Sequence, residues 1–173
     1  MVRTLFKRSG FTLVELLIVV IILGVIAAIA IPQFTSSTED AKLSSLDMSL
    51  SELRNAIELY YHQHGGVYPG EKRHTDGSAV SSAAEAEAAF ANQLTLYSSI
   101  TGETANEKDD TYKYGPYIKR GNMPLNPFNS DGDVVCDIAE TDITSVASSG
   151  SGGWKFYIKT GRLIANDGSH DTN

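Results

Sequence analysis

Twenty-two residues from Gly10 to Ile31, GFTLVELLIVVIILGVIAAIAI, hold a single ionisable side chain, Glu15, and run into Pro32. As an α-helix the stretch from Phe11 to Ile31 spans about 30 Å, the thickness of a bilayer's hydrocarbon core, so the run predicts a membrane segment. The ten residues before it carry Arg3, Lys7 and Arg8 and no acid. Positive charge on the short flank keeps that flank cytoplasmic, so the rest of the chain is expected outside the cytoplasm.

Glu15 is the costly residue of this run. An ionisable group inside a membrane segment marks a functional site, with a partner to be named. Were the chain cut between Gly10 and Phe11, Phe11 would gain a free amine. Glu15 of one subunit then pairs with that amine on a neighbour, and the carboxylate becomes an assembly device.

The order Lys7-Arg8-Ser9-Gly10, Phe11-Thr12-Leu13-Val14-Glu15 and then the unbroken apolar run Leu16 to Ile31 resembles the class III signal of type IV pilins and type II secretion pseudopilins. The resemblance implies cleavage after Gly10 by a membrane aspartyl prepilin peptidase and N-methylation of Phe11. It also implies storage in the bacterial cytoplasmic (inner) membrane as a single-pass protein with its N-terminus inside. From there the subunit joins a homo-oligomeric helical filament, periplasmic or at the cell surface, through an inner-membrane assembly platform and with other minor pilins or pseudopilins. Two plainer readings compete. Ala28-Ile29-Ala30 has the small residues of an ordinary secretory cleavage site, and a simple single-pass anchor needs only the apolar run. Neither gives Glu15 a purpose.

Without the ten leader residues the chain keeps eleven basic against 21 acidic residues, a formal charge of −10. That balance argues against a broad nucleic-acid-binding face, so no nucleic-acid partner is expected. Roughly 140 residues remain beyond the membrane run, enough for one domain. Cys136 is the single cysteine, so no intramolecular disulfide can close the C-terminal half, a departure from many type IV pilins. Packing, loop hydrogen bonds or a metal must do so.

Gly24 and Pro32 weaken the helix, glycine through backbone entropy and proline by removing a hydrogen bond. They form the expected helix-break, and in pilins the corresponding stretch loses helicity on assembly; a plain kink at Pro32 is the alternative. From Gln33 the pattern turns amphipathic, with Leu43, Leu46, Leu50, Leu53, Ile57 and Tyr60 on one stripe that should end at Gly65-Gly66. Tyr68-Pro69 looks like the Tyr-Pro that follows the long helix of major pseudopilins. Ser82 to Glu85 reads as a capping box opening a second helix over Ala86 to Ile100. Beyond Thr111 come turns and strands. Met123 to Phe128 is proline-fixed and resembles the Leu-Pro-x-Asp-Pro-Trp run of major pseudopilins, with Asn126 and Phe128 in place of Asp and Trp. Val134 to Ile138 is a strand, Ser148 to Gly153 a flexible loop, and Trp154 to Asn166 a hairpin turning at Thr160-Gly161. Trp154, Phe156 and Ile158 should face the helix stripe while Lys155, Tyr157 and Lys159 face out.

No HExxH, CxxC or Walker A pattern occurs, and no nucleophile and base pairing can be read, so an enzyme is not expected. His62, His64, His74 and His170 are expected in solvent. Asn129, Asp131 and Asp133 alternate around Gly132, with Asp137, Asn166, Asp167 and Asp171 elsewhere. Such oxygens suit a calcium loop, and they equally suit ordinary turns. Major pseudopilins, which the sequence resembles, use calcium to order their C-terminal loop.

The fold expected is α+β and pilin-like: a long N-terminal helix, half membrane and half amphipathic, packed on a small antiparallel sheet. Residues 1–10 form the leader, 11–32 the transmembrane and assembly segment, and 33–173 an extracytoplasmic globular domain. The function expected is that of a type II secretion pseudopilin whose filament drives protein secretion. A type IV pilin for adhesion, motility or DNA uptake is the alternative, and a secreted binding protein with an ordinary signal peptide the distant one.

Overall fold

The computed structural model describes residues 10–119, 121–144 and 146–171, and for residues 29–36 the backbone alone. It separates into two compact units, Met1–Ala41 and Lys42–Asn173. Helix α1, Leu13–Gln63, supplies residues to both. It is followed by α2 (Ala83–Thr95), the short pair β1 (Tyr97–Ser98) and β2 (Thr104–Ala105), and a sheet of β3 (Val134–Asp137), β4 (Trp154–Tyr157) and β5 (Arg162–Ala165). The architecture is the α+β, pilin-like one expected from the sequence.

In the second unit the apolar stripe of α1 becomes core. Leu46, Leu50, Leu53, Ile57 and Tyr60 are buried with Phe90 and Leu94 of α2 and with Trp154, Phe156 and Leu163 of the sheet. Fully burying one such side chain stabilises by about 1.5–3 kcal/mol, so this cluster is the main favourable term of the unit. Glycine closes α1 as expected. The Gly66 N–H donates to the Tyr61 carbonyl at 2.9 Å while Gly65 sits at φ 67°, the six-to-one bond of a Schellman end.

The sheet is mixed rather than wholly antiparallel. β4 and β5 form the expected hairpin, Trp154 opposite Ala165 and Tyr157 opposite Arg162, but β3 runs parallel to β4. Sixteen residues separate Asp137 from Trp154, and a connection of a dozen or more is what a parallel return requires. At the hairpin turn Gly161 has φ 71°, and the Tyr68 ring occupies the place a Cβ would need. Tyr68 of the Tyr-Pro pair thus seats on the turn.

Helix α2 opens as read, with Ser82 Oγ accepting from the Glu85 N–H at 3.3 Å, although the Glu85 carboxylate accepts from the Ser81 N–H at 2.7 Å rather than from Ser82. It stops at Thr95, five residues before the expected Ile100. Leu96 is extended and Ser98 exchanges backbone hydrogen bonds with Tyr114 at 3.0 and 3.2 Å, so strand pairing wins over helix periodicity there. Tyr157, expected outside, is buried. Its hydroxyl accepts from the Ala147 N–H at 2.9 Å and donates to the Ala147 carbonyl at 3.1 Å, beneath the connection from β3 to β4.

His64 is a correction. It lies 3% exposed at the end of α1 and stacks on Tyr60 with ring centroids 3.7 Å apart. Its Nδ1 is 2.9 Å from the Tyr60 carbonyl and its Nε2 3.1 Å from Ser98 Oγ. A carbonyl only accepts, so Nδ1 carries the proton and Nε2 accepts from the Ser98 hydroxyl. Burial holds the His64 pKa below its ordinary value, since a second proton would charge an apolar site. The cue in the sequence was the glycine pair, which turns the chain back over the last helical turn.

The C-terminal half is held by buried asparagines. Asn166 is wholly buried. Its Oδ1 accepts from the Ser149 N–H at 2.6 Å and from Ser148 Oγ at 3.0 Å, and its Nδ2 donates to Ser149 Oγ at 2.9 Å and to the Ser151 carbonyl. Asn126, also wholly buried, donates to the Gly153 carbonyl at 3.0 Å and to the Asp167 carboxylate at 3.2 Å, and accepts from the Phe128 N–H at 3.0 Å. The segment from Ser148 to Gly153 is therefore clamped rather than flexible. Neutral hydrogen bonds contribute about 1 kcal/mol each, and orphaning a buried partner costs more.

At the calcium candidates the geometry is that of turns. Asn129 Oδ1 accepts from the Asp131 N–H at 3.1 Å and Asp131 Oδ1 from the Asp133 N–H at 2.8 Å, two successive Asx turns. Among the described residues no group of three or more His, Cys, Asp or Glu side chains could hold a metal ion.

Two outcomes follow from these contacts. Asn166→Ala should destabilise the chain by about 2–4 kcal/mol, because it strands serine and backbone groups inside the protein. Thermal melting checks this. Acidification tests His64: its folded pKa lies below the unfolded value of about 6.5, so the unfolded chain binds the extra proton first. Stability should be full above that pH and fall as pH drops through it, by at most about 1.4 kcal/mol per pH unit. His64→Gln should flatten that part of a melting-temperature against pH profile.

Candidate functional site

The N-terminal unit holds the residues on which processing and assembly are expected to turn. Gly10, Phe11 and Thr12 precede the helix in non-helical backbone, and α1 starts at Leu13. The Thr12 carbonyl accepts the first helical bond, from the Leu16 N–H at 3.2 Å, so Thr12 is the N-cap. Thr12 Oγ1 accepts from the Glu15 N–H at 3.2 Å. In return Glu15 Oε2 accepts from the Thr12 N–H at 2.9 Å and from Thr12 Oγ1–H at 2.8 Å. This is a reciprocal capping box, and it places a negative charge where the helix macrodipole favours one.

Thr12 was missed at the level of sequence although the signal, Thr-x-x-Glu before an apolar run, was present in Thr12 to Glu15. The box gives Glu15 a partner within its own chain and ties its carboxylate to the backbone N–H of Thr12, the residue after Phe11. The hydrogen bonds leave the charge itself uncompensated.

Gly10 is open on every side: a Cβ built there would meet nothing within 4 Å among the described residues. No packing among the described residues asks for a glycine at that position. Phe11 is 78% exposed, and the large apolar residues from Leu13 to Ile26 are between 49% and 83% exposed. They cover the whole circumference of the helix, far more apolar surface than a helix shows to water without lipid or other protein against it.

The helix-break residues behave differently in this single chain. α1 runs without interruption through Gly24 and Pro32, so neither ends nor divides the helix. Proline's missing N–H removes one ladder bond, which flanking turns tolerate. The leader residues Met1 to Ser9 lie outside the described residues. Among the described residues no helix is long and apolar enough to cross a membrane; side chains are described from Leu13 to Ala28 and again from Ser37, and the first of these stretches falls short of the roughly 20 residues a span needs.

The candidates for other chemistry stay apart. His62 is exposed with its Nε2 4.0 Å from Glu58 Oε2, and His170 packs against Phe128 with centroids 3.8 Å apart while its Nδ1 sits 3.0 Å from Asp167 Oδ1. Cys136 is buried, and burial pushes its thiol pKa up, away from reactive thiolate.

Comparison with known proteins agrees with this geometry. The family model described as the prokaryotic N-terminal methylation motif matches residues 5–31. The chain is 30% identical over 125 residues to the type II secretion system core protein G of Vibrio cholerae, covering 72% of this chain and 68% of that protein. It is 26% identical over 149 residues to the core protein G of Aeromonas hydrophila, covering 85% and 87%. It is also 26% identical over 102 residues to the type IV major pilin protein PilE of Neisseria gonorrhoeae, covering 59% of each. No solved structure matches it significantly. The methylation motif falls on the capped, lipid-like helix start, and the likeness to core protein G extends through the globular unit: the chain belongs to the family of type IV pilins and type II secretion pseudopilins.

Proposed function

We propose that the chain is a structural subunit of an envelope filament, in the leading reading a type II secretion pseudopilin, with no catalytic role of its own. The observation that carries this is the helix from Leu13 to Ala28, apolar and exposed on all sides, preceded by the capped Phe11-Thr12 and the open Gly10. Such a surface is covered by lipid before assembly and by the helices of other subunits afterwards. The match to core protein G over most of both chains favours a pseudopilin. The match to gonococcal PilE supports the second reading, a type IV pilus subunit.

In this reading residues 1–10 are a leader, 11–32 anchor and assemble the subunit, and 33–173 form its extracytoplasmic domain. A prepilin peptidase cuts after Gly10, and the new amine at Phe11 is N-methylated. The Thr12 box holds each Glu15 carboxylate at the end of its helix, ready to meet the Phe11 amine of a neighbour. The charge is expensive in lipid and is relieved only by packing. Gly24 and Pro32 are where the helix yields on assembly.

Intact-mass spectrometry of the membrane-purified chain should give a mature N-terminus at methylated Phe11; a start at Met1 or Ile31 would overturn the processing reading. Three substitutions separate charge from capping at the helix start. Thr12→Ala keeps the charge and loses the cap, and should still assemble. Glu15→Gln keeps a capping acceptor and loses the charge. It should be processed and inserted yet yield few filaments, since an unpaired buried amine costs roughly 3–5 kcal/mol. Glu15→Ala should fail in the same way. Filament yield by shearing, against the membrane pool by immunoblot, reads all three; wild-type yield from Glu15→Gln would remove the ion pair from the account.

A further inference from the structure

A recess of about 260 Å³ lies in the second unit between α1 and β5, with Arg54, Ile57 and Glu58 on the helix side and Gly161, Arg162 and Leu163 on the strand side. Two guanidinium groups share it, each tied to the backbone. Arg54 Nη2 donates to the Leu163 carbonyl at 3.0 Å and Arg162 Nη1 to the Ile143 carbonyl at 2.8 Å. Burial, and after it the nearness of Arg162, hold the Arg54 pKa below its ordinary value, with Asp47 acting the other way. Two cations placed together cost energy unless an anion joins them. Glu58, the acid that lines the recess, reaches His62 at 4.0 Å instead, and no carboxylate among the described residues pairs with Arg162. The Ile143 carbonyl takes one nitrogen of Arg162, and the rest of its planar donor fork has the shape a carboxylate fits.

The matching anion is on the same chain, elsewhere on its surface. In the run Glu107-Lys108-Asp109-Asp110 every residue is exposed. Asp109 Oδ1 accepts from the Thr111 and Tyr112 N–H groups at 2.7 and 2.6 Å, whereas Glu107 and Asp110 have no partner among the described residues. We infer that the recess receives Glu107 and Asp110 of a second copy, with Arg54 and Arg162 as the clamp on their carboxylates. The net charge of −10 does not forbid this, because salt screens charges more than about 10 Å apart at roughly 0.1 M, and the groups in contact decide. No residue of the acidic run lines the recess, so the contact joins two different patches. Such a head-to-tail contact leaves one patch free at each end and propagates as an open filament unless its rotation closes a ring. The contact rests on the filament reading proposed above and adds to it a bond between globular units.

The test uses filaments sheared from cells that express the full chain. Arg162→Cys with Asp110→Cys puts one thiol on each side of the contact, Cys136 being buried. A bismaleimide should join this double variant into dimers and longer ladders on a denaturing gel. Each single variant should stay monomeric, because the contact brings unlike positions together. Charge reversal is the second measurement. Arg162→Glu, and separately Glu107→Lys with Asp110→Lys, should each lower filament yield against the membrane pool by roughly fivefold, with an unchanged melting temperature of the detergent-solubilised chain to show that the fold survives. Monomers alone from double-cysteine filaments would overturn the contact and leave the filament reading standing, as would wild-type yield from both reversals. A wild-type chain that forms no filaments would overturn the filament reading, and the contact with it.

Discussion

One helix here has two burial problems. From Leu13 to Ala28 α1 is apolar around its whole circumference, while from Leu46 to Tyr60 only one stripe is. The stripe is solved within the chain, by α2 and the three-stranded sheet. The apolar cylinder is left exposed. An apolar cylinder of this kind calls for a second apolar phase against it, lipid or other protein.

The parts of the fold read most directly from sequence are those decided by periodicity and punctuation. The stripe from Leu46 to Tyr60, the glycine end of α1, the Ser82 cap and the turn at Gly161 depend on neighbours within a few residues, and each stands where its pattern puts it. What was not legible depends on partners far along the chain. The parallel direction of β3 is set by the length of the connection after it, and the early end of α2 by the pairing of Ser98 with Tyr114. The glycine pair beside His64 turns the chain back over it, but Ser98 and Tyr114, which complete its burial, lie far along the chain. At the candidate site Gly10, Phe11 and Glu15 were legible as a pattern; Thr12 needed only the recognition of a capping spacing.

Asparagine replaces what other small domains obtain from cross-links. A disulfide acts on the unfolded chain, whereas the Asn126 and Asn166 amides act only in the folded one, through hydrogen bonds to loop backbone and serine groups. The two asparagines are also far apart in sequence, one before β3 and one just after β5, so the clamp forms only after the sheet has brought its ends together. Stability of the loop and stability of the sheet are therefore one quantity. The oxygens at Asn129 and Asp131, which resemble metal ligands on paper, spend themselves on the backbone two residues onward.

The capping box between Thr12 and Glu15 bears on proteolysis as well as on charge. A long run of strong helix formers tends to propagate toward its N-terminus, and helical backbone is a poor fit for a protease cleft, which grips its substrate stretched out. By taking up the free Thr12 and Glu15 amides at the first turn, the box fixes where winding stops, two residues beyond the bond between Gly10 and Phe11. The bond between Gly10 and Phe11 is thereby left in unwound chain on the very threshold of the helix. A cut at that bond, the processing proposed above, would trim the protein to its cap and leave the helix whole.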